Sequence, residues 1–337
     1  MKAYEIRDGF GLDKLVSCER PDPVPGPFQV RVRVKATSLN YRDLMMVEGR
    51  YNPKQKLPLV PNSDGAGVVD AVGPGVTRVK PGDRVMGLFA QAWLAGEPSR
   101  SVQASTLGGP NDGALADTML LHEDGVVLTP PHLSDEEAST LPCAALTAWS
   151  ALVTHGGLKA GDTVLLQGTG GVSIFALQLA RMMGARVLLT SSRDDKLERA
   201  RALGAHEGIN YVTTPDWDKA ARSLTGGVGV DHVVEVGGAG TMEKSLRAVR
   251  LGGTVSVIGV LSGGAGTLPL TPILMGNLRV QGVFVGHRQS FEALNRALTL
   301  HGVRPVVDRV FPFSEARAAF EHLKSGAHFG KVVIRVA

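Results

Sequence analysis

Apolar and polar positions change rhythm once along the chain, close to Leu128. Before that point, runs such as Gln29–Ala36 (QVRVRVKA) and Gly65–Val72 (GAGVVDAV) alternate or stay apolar, and Pro and Gly clusters cut them. A period of two puts one face of a strand on a core and the other in water, so the first ~125 residues predict an all-β region with many turns. Pro21, Pro23, Pro25 and Pro27 predict a stiff turn region. Pro81-Gly82-Asp83 predicts a tight turn before a strand at Arg84–Leu88, and the polar, Gly/Ser-rich stretch Gly96–Gly113 a long surface loop.

Beyond Leu128 strands and helices alternate. Strands are expected at Thr163–Gln167, Arg186–Ser191, Gly208–Val212, His232–Val236, Thr254–Val260 and Arg279–Val285. Helices are expected at Val172–Met183, Asp194–Leu203, Asp216–Leu224 and Thr241–Arg250. Such alternation predicts an α/β fold, a doubly wound parallel sheet of the Rossmann kind with strand order 3-2-1-4-5-6. The tail after Arg288 predicts a helix, a second one at Ser314–Ser325 and a strand at Lys331–Val336 that returns to the first domain.

The stretch Thr163–Ala180 (TVLLQGTGGVSIFALQLA) carries the sharpest signal. A short apolar strand runs into Gly168, Gly170 and Gly171, and a helical pattern starts at once with Val172. Backbone N–H groups and the positive end of the helix dipole there attract a dinucleotide pyrophosphate, and the glycines let it come close. The sixth position of the fingerprint is Ser173 rather than glycine, still small enough for helix–strand packing.

Length and composition fit this picture: 337 residues, 43% hydrophobic and 20% charged, suit two globular domains rather than a disordered chain. The net charge of +4 is scattered among acids, with no run that would track nucleic acid. No apolar run spans a bilayer, and the opening MKAYEIRDGFGL lacks a signal-peptide core, so no membrane association and a cytoplasmic setting are expected. Only Cys18 and Cys143 are present, which excludes a disulfide framework.

Several segments together, Ser38-Leu39-Asn40-Tyr41-Arg42-Asp43, Pro61–Val68 (PNSDGAGV), Val79–Val85 (VKPGDRV), Ala144–Trp149 (AALTAW), Gln167–Val172 and Phe329–Ile334 (FGKVVI), carry a resemblance. Over almost its whole length the chain resembles the medium-chain dehydrogenase/reductases, in their zinc-free quinone oxidoreductase (zeta-crystallin-like) branch. The resemblance implies a GroES-like β domain at 1–126 and 288–337 and a Rossmann domain at 127–287.

Zinc-dependent members of that fold place a cysteine where Asn40 stands, a Gly-His-Glu segment where Asn62-Ser63-Asp64 stands, and a further cysteine matching Cys143. Two of the three usual ligands are therefore replaced, the cysteines of a structural zinc lobe are missing, and no metal site is expected. Without a Lewis acid, alcohol oxidation loses its means of stabilising an alkoxide, whereas hydride delivery to an electrophilic carbon remains feasible. The expected substrate is a quinone or an α,β-unsaturated carbonyl, with the charge landing on oxygen. Asn40 and Tyr41 are the expected donors to that oxygen, and Tyr51 follows on the same lobe. For Tyr41 and Tyr51 packing as an aromatic lid is the plain alternative. Asp43 reads either as an acid of the site or as an N-cap for a turn through Leu44–Met46.

Cofactor contacts follow from the same resemblance. Thr147 would approach the nicotinamide or its ribose, or else bond its own helix carbonyl. Gly237, Ile258, Gly259, Phe284 and Val285 lie at carboxyl ends of strands, the edge where ligands bind in such sheets. Lys331 would return to the site or stay solvated. NAD-binding units place an acid about twenty residues beyond the glycines. Here that zone reads Thr190-Ser191-Ser192-Arg193, with Lys196 one turn on and Tyr211 at the end of the third strand. Ser191, Ser192, Arg193 and Lys196 can hold a 2′-phosphate, so NADPH is the expected cofactor. Asp194 and Asp195 blur this, or simply favour the next helix N-terminus. The apolar segment Leu278–Val285 at a sheet edge predicts a homodimer. A zinc-type alcohol dehydrogenase and a non-catalytic NADPH-binding protein stand as the competing readings.

Overall fold

In the computed structural model, which describes residues 1–337, one unit takes Met1–Leu146 with Gly286–Ala337 and a second takes Thr147–Val285. The first begins with a hairpin of β1 (Lys2–Ile6) and β2 (Leu15–Glu19). Then come β3 (Gln29–Leu39), helix α1 (Tyr41–Val47), β4 (Asp64–Val72), β5 (Arg84–Gly87), α2 (Arg100–Gln103), β6 (Thr118–His122), β7 (Val126–Leu128) and α3 (Asp135–Ala138). The alternation in β3 behaves as its pattern demands. Val30, Val32 and Val34 are buried with Val69, Val85, Met119 and Leu121, while Arg31 and Arg33 turn outward to Asp70.

The chain passes into the second unit within α4 (Leu146–Trp149), which has wide π turns before it at Leu141–Ala145 and after it at Ser150–Thr154. It continues through β8 (Thr163–Gln167), α5 (Gly171–Met182), β9 (Arg186–Ser191), α6 (Asp194–Ala202), β10 (Glu207–Asn210) and α7 (Trp217–Leu224). After these come β11 (Val230–Glu235), α8 (Met242–Ala248), β12 (Val249–Val257), α9 (Thr271–Met275) and β13 (Arg279–Gly282). Its sheet runs β10-β9-β8-β11-β12-β13, all parallel, which is the expected 3-2-1-4-5-6 order. The chain then returns to the first unit with α10 (Arg288–His301), β14 (Val307–Pro312), α11 (Ala316–Lys324) and β15 (Lys331–Arg335). β15 pairs antiparallel with β3, as expected of the last strand. No helix is long and apolar enough to cross a membrane.

Four expectations need correction. Residues 127–146 belong with the β unit, because β7 pairs with β5 and the following segment packs there. The stretch Gly96–Gly113 is not simply a surface loop: it contains α2, and Thr106–Gly109 are buried. The cause is Arg42, whose guanidinium donates to the carbonyls of Leu107 (2.9 Å), Gly108 (3.0 Å) and Gly109 (3.1 Å). Val249-Arg250 start β12 rather than end a helix, since Val249 pairs with Val230. The last strand of the parallel sheet stops at Gly282, and Val285 beyond it takes φ +46°, a left-handed conformation strained for a β-branched residue.

Candidate active site

Strand register assembles a buried polar cluster in the first unit. Val332 of β15 lies opposite Leu39 of β3, and Ser38 of β3 lies opposite Asp64 of β4. Lys331, Asn40 and Asp64 therefore converge where β3 gives way to α1. The Lys331 ammonium donates to Leu39 O (2.8 Å) and Asn40 Oδ1 (2.5 Å) and stands 3.5 Å from Asp64 Oδ2. Ser38 Oγ donates to Asp64 Oδ2 (3.0 Å), Ser63 Oγ donates to Asp64 Oδ1 (3.2 Å), and Asn40 Nδ2 donates to Ser63 Oγ (3.3 Å). Asp43 closes the cluster from α1: its Oδ2 accepts from Asn40 N (2.9 Å) and its Oδ1 from Ser63 N (3.2 Å) and Arg42 (3.1 Å).

Asp43 is thus neither a free acid nor an N-cap. Asn40 holds the N-cap position of α1, and Asp43 clamps the backbone on both sides of it. Lys331 is 2% exposed, so the solvated alternative is wrong, and its donors are committed to Leu39, Asn40 and Asp64 rather than left free for a cofactor. Asn40, at 9%, keeps an accessible margin. Its Oδ1 is held by Lys331, its Nδ2 donates to Ser63, and its hydrogen bonding also helps hold the Asp64 carboxyl down. Burial raises the Asp64 carboxyl above the usual carboxylate range, with Lys331 pulling it back and Asp43 pushing it further up. Burial also pushes the Cys143 thiol well up, reinforced by Asp64.

These groups do not fit a zinc ion. An amide, a hydroxyl and an ammonium occupy the cluster beside the carboxylates of Asp43 and Asp64, and no three His, Cys, Asp or Glu side chains gather anywhere in the chain to hold a metal. Tyr41 and Tyr51 are 37% and 43% exposed. The Arg50 guanidinium lies 5.9 Å from the centroid of the Tyr41 ring, and that of Arg42 lies 4.8 Å from the Tyr51 ring. Neither phenol joins the buried cluster.

In the second unit the glycine turn has the expected form. Gly168 takes φ +71°, Gly170 caps α5, and Gly168 N donates to Thr190 O (2.8 Å). A Cβ added at Gly168 or Gly170 would meet no atom within 4 Å, so open space lies above the turn and the helix N-terminus, as a pyrophosphate needs. Ser173 Oγ donates to Gln167 O (2.6 Å), which explains a serine at the sixth position: it closes the turn from inside.

Around the tip of β9 the picture is mixed. Ser191 is buried and its Oγ accepts from Arg193 N (3.3 Å), shaping the loop. Ser192 and Tyr211 are exposed. Arg193 is engaged by Asp195 through Nε (2.8 Å) and Nη2 (2.7 Å), and Nη1 lies outside that fork. Lys196 is 7% exposed, on the buried side of α6 with Leu197 and Ala200. Asp194 accepts from Asn210 Nδ2 (2.8 Å), a structural role. Thr147 is buried at the head of the unit, and Gly237, Ile258 and Gly259 follow β11 and β12. Phe284 and Val285 follow the last strand.

Sequence reasoning missed Glu235 and Gln167. Glu235, fully buried at the end of β11, accepts from Gln167, Ser245, Thr241 and the backbone of Gly237 and Gly238. The available signal was one carboxylate directly after the apolar pair Val233-Val234, at the end of a strand.

Residues 26–131 match the alcohol dehydrogenase GroES-like domain, and residues 171–299 match the zinc-binding dehydrogenase domain. A zinc-type alcohol dehydrogenase-like protein of Schizosaccharomyces pombe is 42% identical, with 99% of each chain covered. A quinone oxidoreductase of Sus scrofa is 29% identical over 93% of this chain and 90% of its own. Among solved structures, an NAD-dependent alcohol dehydrogenase superposes with a TM-score of 0.91 at 38% identity, with both chains fully covered. A 2-octenoyl-CoA carboxylase reductase in complex with NADP and 2-octenoyl-CoA superposes with a TM-score of 0.87 at 26% identity, covering 99% of this chain and 87% of that one.

Proposed function

The chain belongs to the medium-chain dehydrogenase/reductase superfamily of oxidoreductases, and from that membership we propose a metal-independent, NADPH-dependent reductase acting on a quinone or an α,β-unsaturated carbonyl. One observation carries the reading: the Lys331 ammonium, buried against Asn40 Oδ1 and Asp64, supplies a fixed positive charge where zinc-dependent members of the family gather their metal ligands. A cation already held by these hydrogen bonds, with Asn40 and Ser63 at two of the family's ligand positions, supports hydride transfer without a divalent ion.

The nicotinamide, when bound, supplies the hydride. The chain's own groups do the rest. The turn Gly168–Gly171 and the α5 N-terminus bind pyrophosphate through backbone N–H groups and the helix dipole. Arg193 Nη1 and Ser192 donate to a 2′-phosphate, with no acid at the strand tip to repel it. The Asn40 amide, at the accessible margin of the cluster, donates an N–H to the substrate oxygen as it gains negative charge, and Lys331 holds its Oδ1 turned the other way. The proton that completes reduction comes from solvent or from Tyr41, which is exposed at the first position of α1.

The names of several relatives favour a second reading, an alcohol dehydrogenase. Loss of reduced-nicotinamide absorbance with a panel of quinones and enones, run beside alcohols with NAD and NADP, separates the two. Turnover with the panel, abolished in an Asn40→Ala variant that still folds cooperatively at a midpoint lowered by loss of the N-cap and of the Lys331 bond, is the expected result. One tightly held zinc per chain, lost together with alcohol oxidation on chelation, would overturn it.

The partner proposed besides the substrate is a second copy of the chain. β13 is the open edge of the parallel sheet, and Leu270, Leu274 and Met275 beside it are 71%, 77% and 74% exposed. An unpaired edge flanked by apolar side chains favours continuation of the sheet across a two-fold axis. Neither nucleic acid nor membrane is proposed as a partner. The free thiols Cys18 and Cys143 suit a reducing compartment, and the cytoplasm is the proposed setting.

A further inference from the structure

Within the second unit a chain of buried hydrogen bonds joins the turn that follows β8 to the turn that follows β11. Glu235 Oε1 accepts from Gly237 N (2.7 Å), Gly238 N (2.9 Å) and Thr241 Oγ1 (2.6 Å). Glu235 Oε2 accepts from Gln167 Nε2 (2.7 Å) and from Ser245 Oγ. Gln167 Oε1 in turn accepts from Val236 N (3.1 Å) and Gly237 N (3.2 Å). Every N–H of the Val236–Gly238 turn is thereby held by one of two side chains, and the outer side is held as well, since Ser262 Oγ donates to Gly237 O (2.7 Å). The turn has no slack: a Cβ at Gly237 would fall 2.2 Å from Thr241 Oγ1, and one at Gly259 would fall 2.5 Å from Val236 O.

Only neutral groups donate to this carboxylate. A buried charge with no counter-ion is a costly way to close a core, and an apolar side chain at the end of β11 would serve packing better. Its position supplies the reason. Strand order reverses between β8 and β11, the point at which a doubly wound sheet takes its dinucleotide. Gln167 immediately precedes the glycine turn, and Glu235 immediately precedes the turn on the other side of the reversal. The adenine half of such a sheet is β8–β10, and the nicotinamide half is β11–β13.

We propose that Gln167 and Glu235 are positioning residues that lock the β11 turn to the pyrophosphate turn, and so fix the nicotinamide half of the cofactor site relative to the adenine half. The proposal rests on the dinucleotide-binding reading above and adds to it which residues set the register between the two halves. Neither side chain needs to touch the cofactor.

The test separates the halves by calorimetric titration. NADPH is compared with 2′-phospho-ADP-ribose, which lacks the nicotinamide, and NADH is compared with ADP-ribose. Glu235→Gln keeps the size but sets an amide against donors, and the loss of charge-assisted bonds should weaken either dinucleotide about 10- to 100-fold. The matching fragments should change less than about threefold. Gln167→Met, which leaves the carboxylate and most of its donors in place, should show the same split at smaller amplitude and covers the case of an unfolded Glu235→Gln. Equal losses for dinucleotide and fragment in the folded variants, or no loss in Gln167→Met when Glu235→Gln fails to fold, would overturn the proposal while leaving cofactor binding intact. A wild-type protein that binds no dinucleotide would overturn the cofactor reading and the proposal with it.

Discussion

Replacing Lys331 with methionine removes one charge and three donors while keeping the length of the stem. The side chain is 2% exposed, so no solvent rescues the groups it leaves behind. Leu39 O and Asn40 Oδ1 lose the ammonium at 2.8 and 2.5 Å, and Asp64 loses the only cation that pulls its carboxyl down. Removing one partner of a buried ion pair costs about 3–5 kcal/mol, because the other is left uncompensated. Methionine fills most of the volume, so no large cavity adds to this. For a unit of this size, each kcal/mol moves the midpoint by about 2–4 °C, which gives a drop of roughly 6–20 °C near neutral pH.

The pH dependence is the sharper readout. Burial already holds the Asp64 carboxyl above its usual range, and loss of Lys331 raises it further. A group whose folded pKa lies above its unfolded value favours the fold when protonated, and that contribution is lost as pH rises through the folded value. The gap between Lys331→Met and wild type should therefore widen from pH 5 to pH 8. The double variant Lys331→Met/Asp64→Asn should recover most of the loss, since it removes both charges. Thermal and urea unfolding across that range, arranged as a double-mutant cycle, measure it. A penalty below about 1 kcal/mol, a gap that narrows with pH, or strictly additive effects would show that the buried ammonium does not hold this cluster together.

Arg193→Ala is expected to weaken NADPH about 10- to 100-fold and to leave NADH nearly unchanged, by equilibrium titration; equal loss of both would remove the 2′-phosphate from this loop. Because Asp195 engages the same guanidinium, Asp195→Asn should tighten NADPH by the same assay. Glu123 accepts from the backbone of Thr77 (2.7 Å) and Arg78 (2.8 Å), and these bonds hold its carboxyl below the usual range. Its contribution is present above the ordinary carboxylate pKa and lost as pH falls through the lower folded value, so Glu123→Gln should cost about 1 kcal/mol at neutral pH and less in acid, read from urea midpoints. Leu274→Glu on the apolar rim of β13 should convert a dimer to monomer in light scattering, whereas a wild-type protein monomeric at micromolar concentration would refute the edge pairing.

Elements were legible where a local period sufficed. The alternation of Val30, Val32 and Val34 marks β3, and the apolar run into Gly168, Gly170 and Gly171 marks the strand–turn–helix, because each pattern lies within one element. The helical stretch from Asp135 to Thr154 was not legible in the same way. Its run LPCAALTAWSALV is apolar on every side, so no face stands out, and the π turns shift the period within it. β14 was missed because Arg309 and Pro312 break its alternation, and parallel pairing with β15 is what makes it a strand.

The site divides along the same line. Asn40 and the glycine turn were found because their identities carry the signal. What holds them was not, because it depends on register between distant strands. Lys331 reaches Asn40 across 291 positions, and Gln167 reaches Glu235 across 68. In sequence, Lys331 has the context of a solvated residue on a terminal strand and Glu235 that of a lone acid near the end of a strand. Pairing of β15 with β3 turns the first inward as a buried cation, and pairing of β11 with β8 turns the second into a brace beneath two turns. Both are buried polar groups that packing alone would disfavour. Such groups persist only where neighbours satisfy them, and here each set of neighbours includes a residue that the local pattern had already singled out: Asn40 in one unit, and the turn opening at Gly168 in the other. The local pattern therefore locates the chemistry, and the long-range register determines which partners and orientation those groups hold.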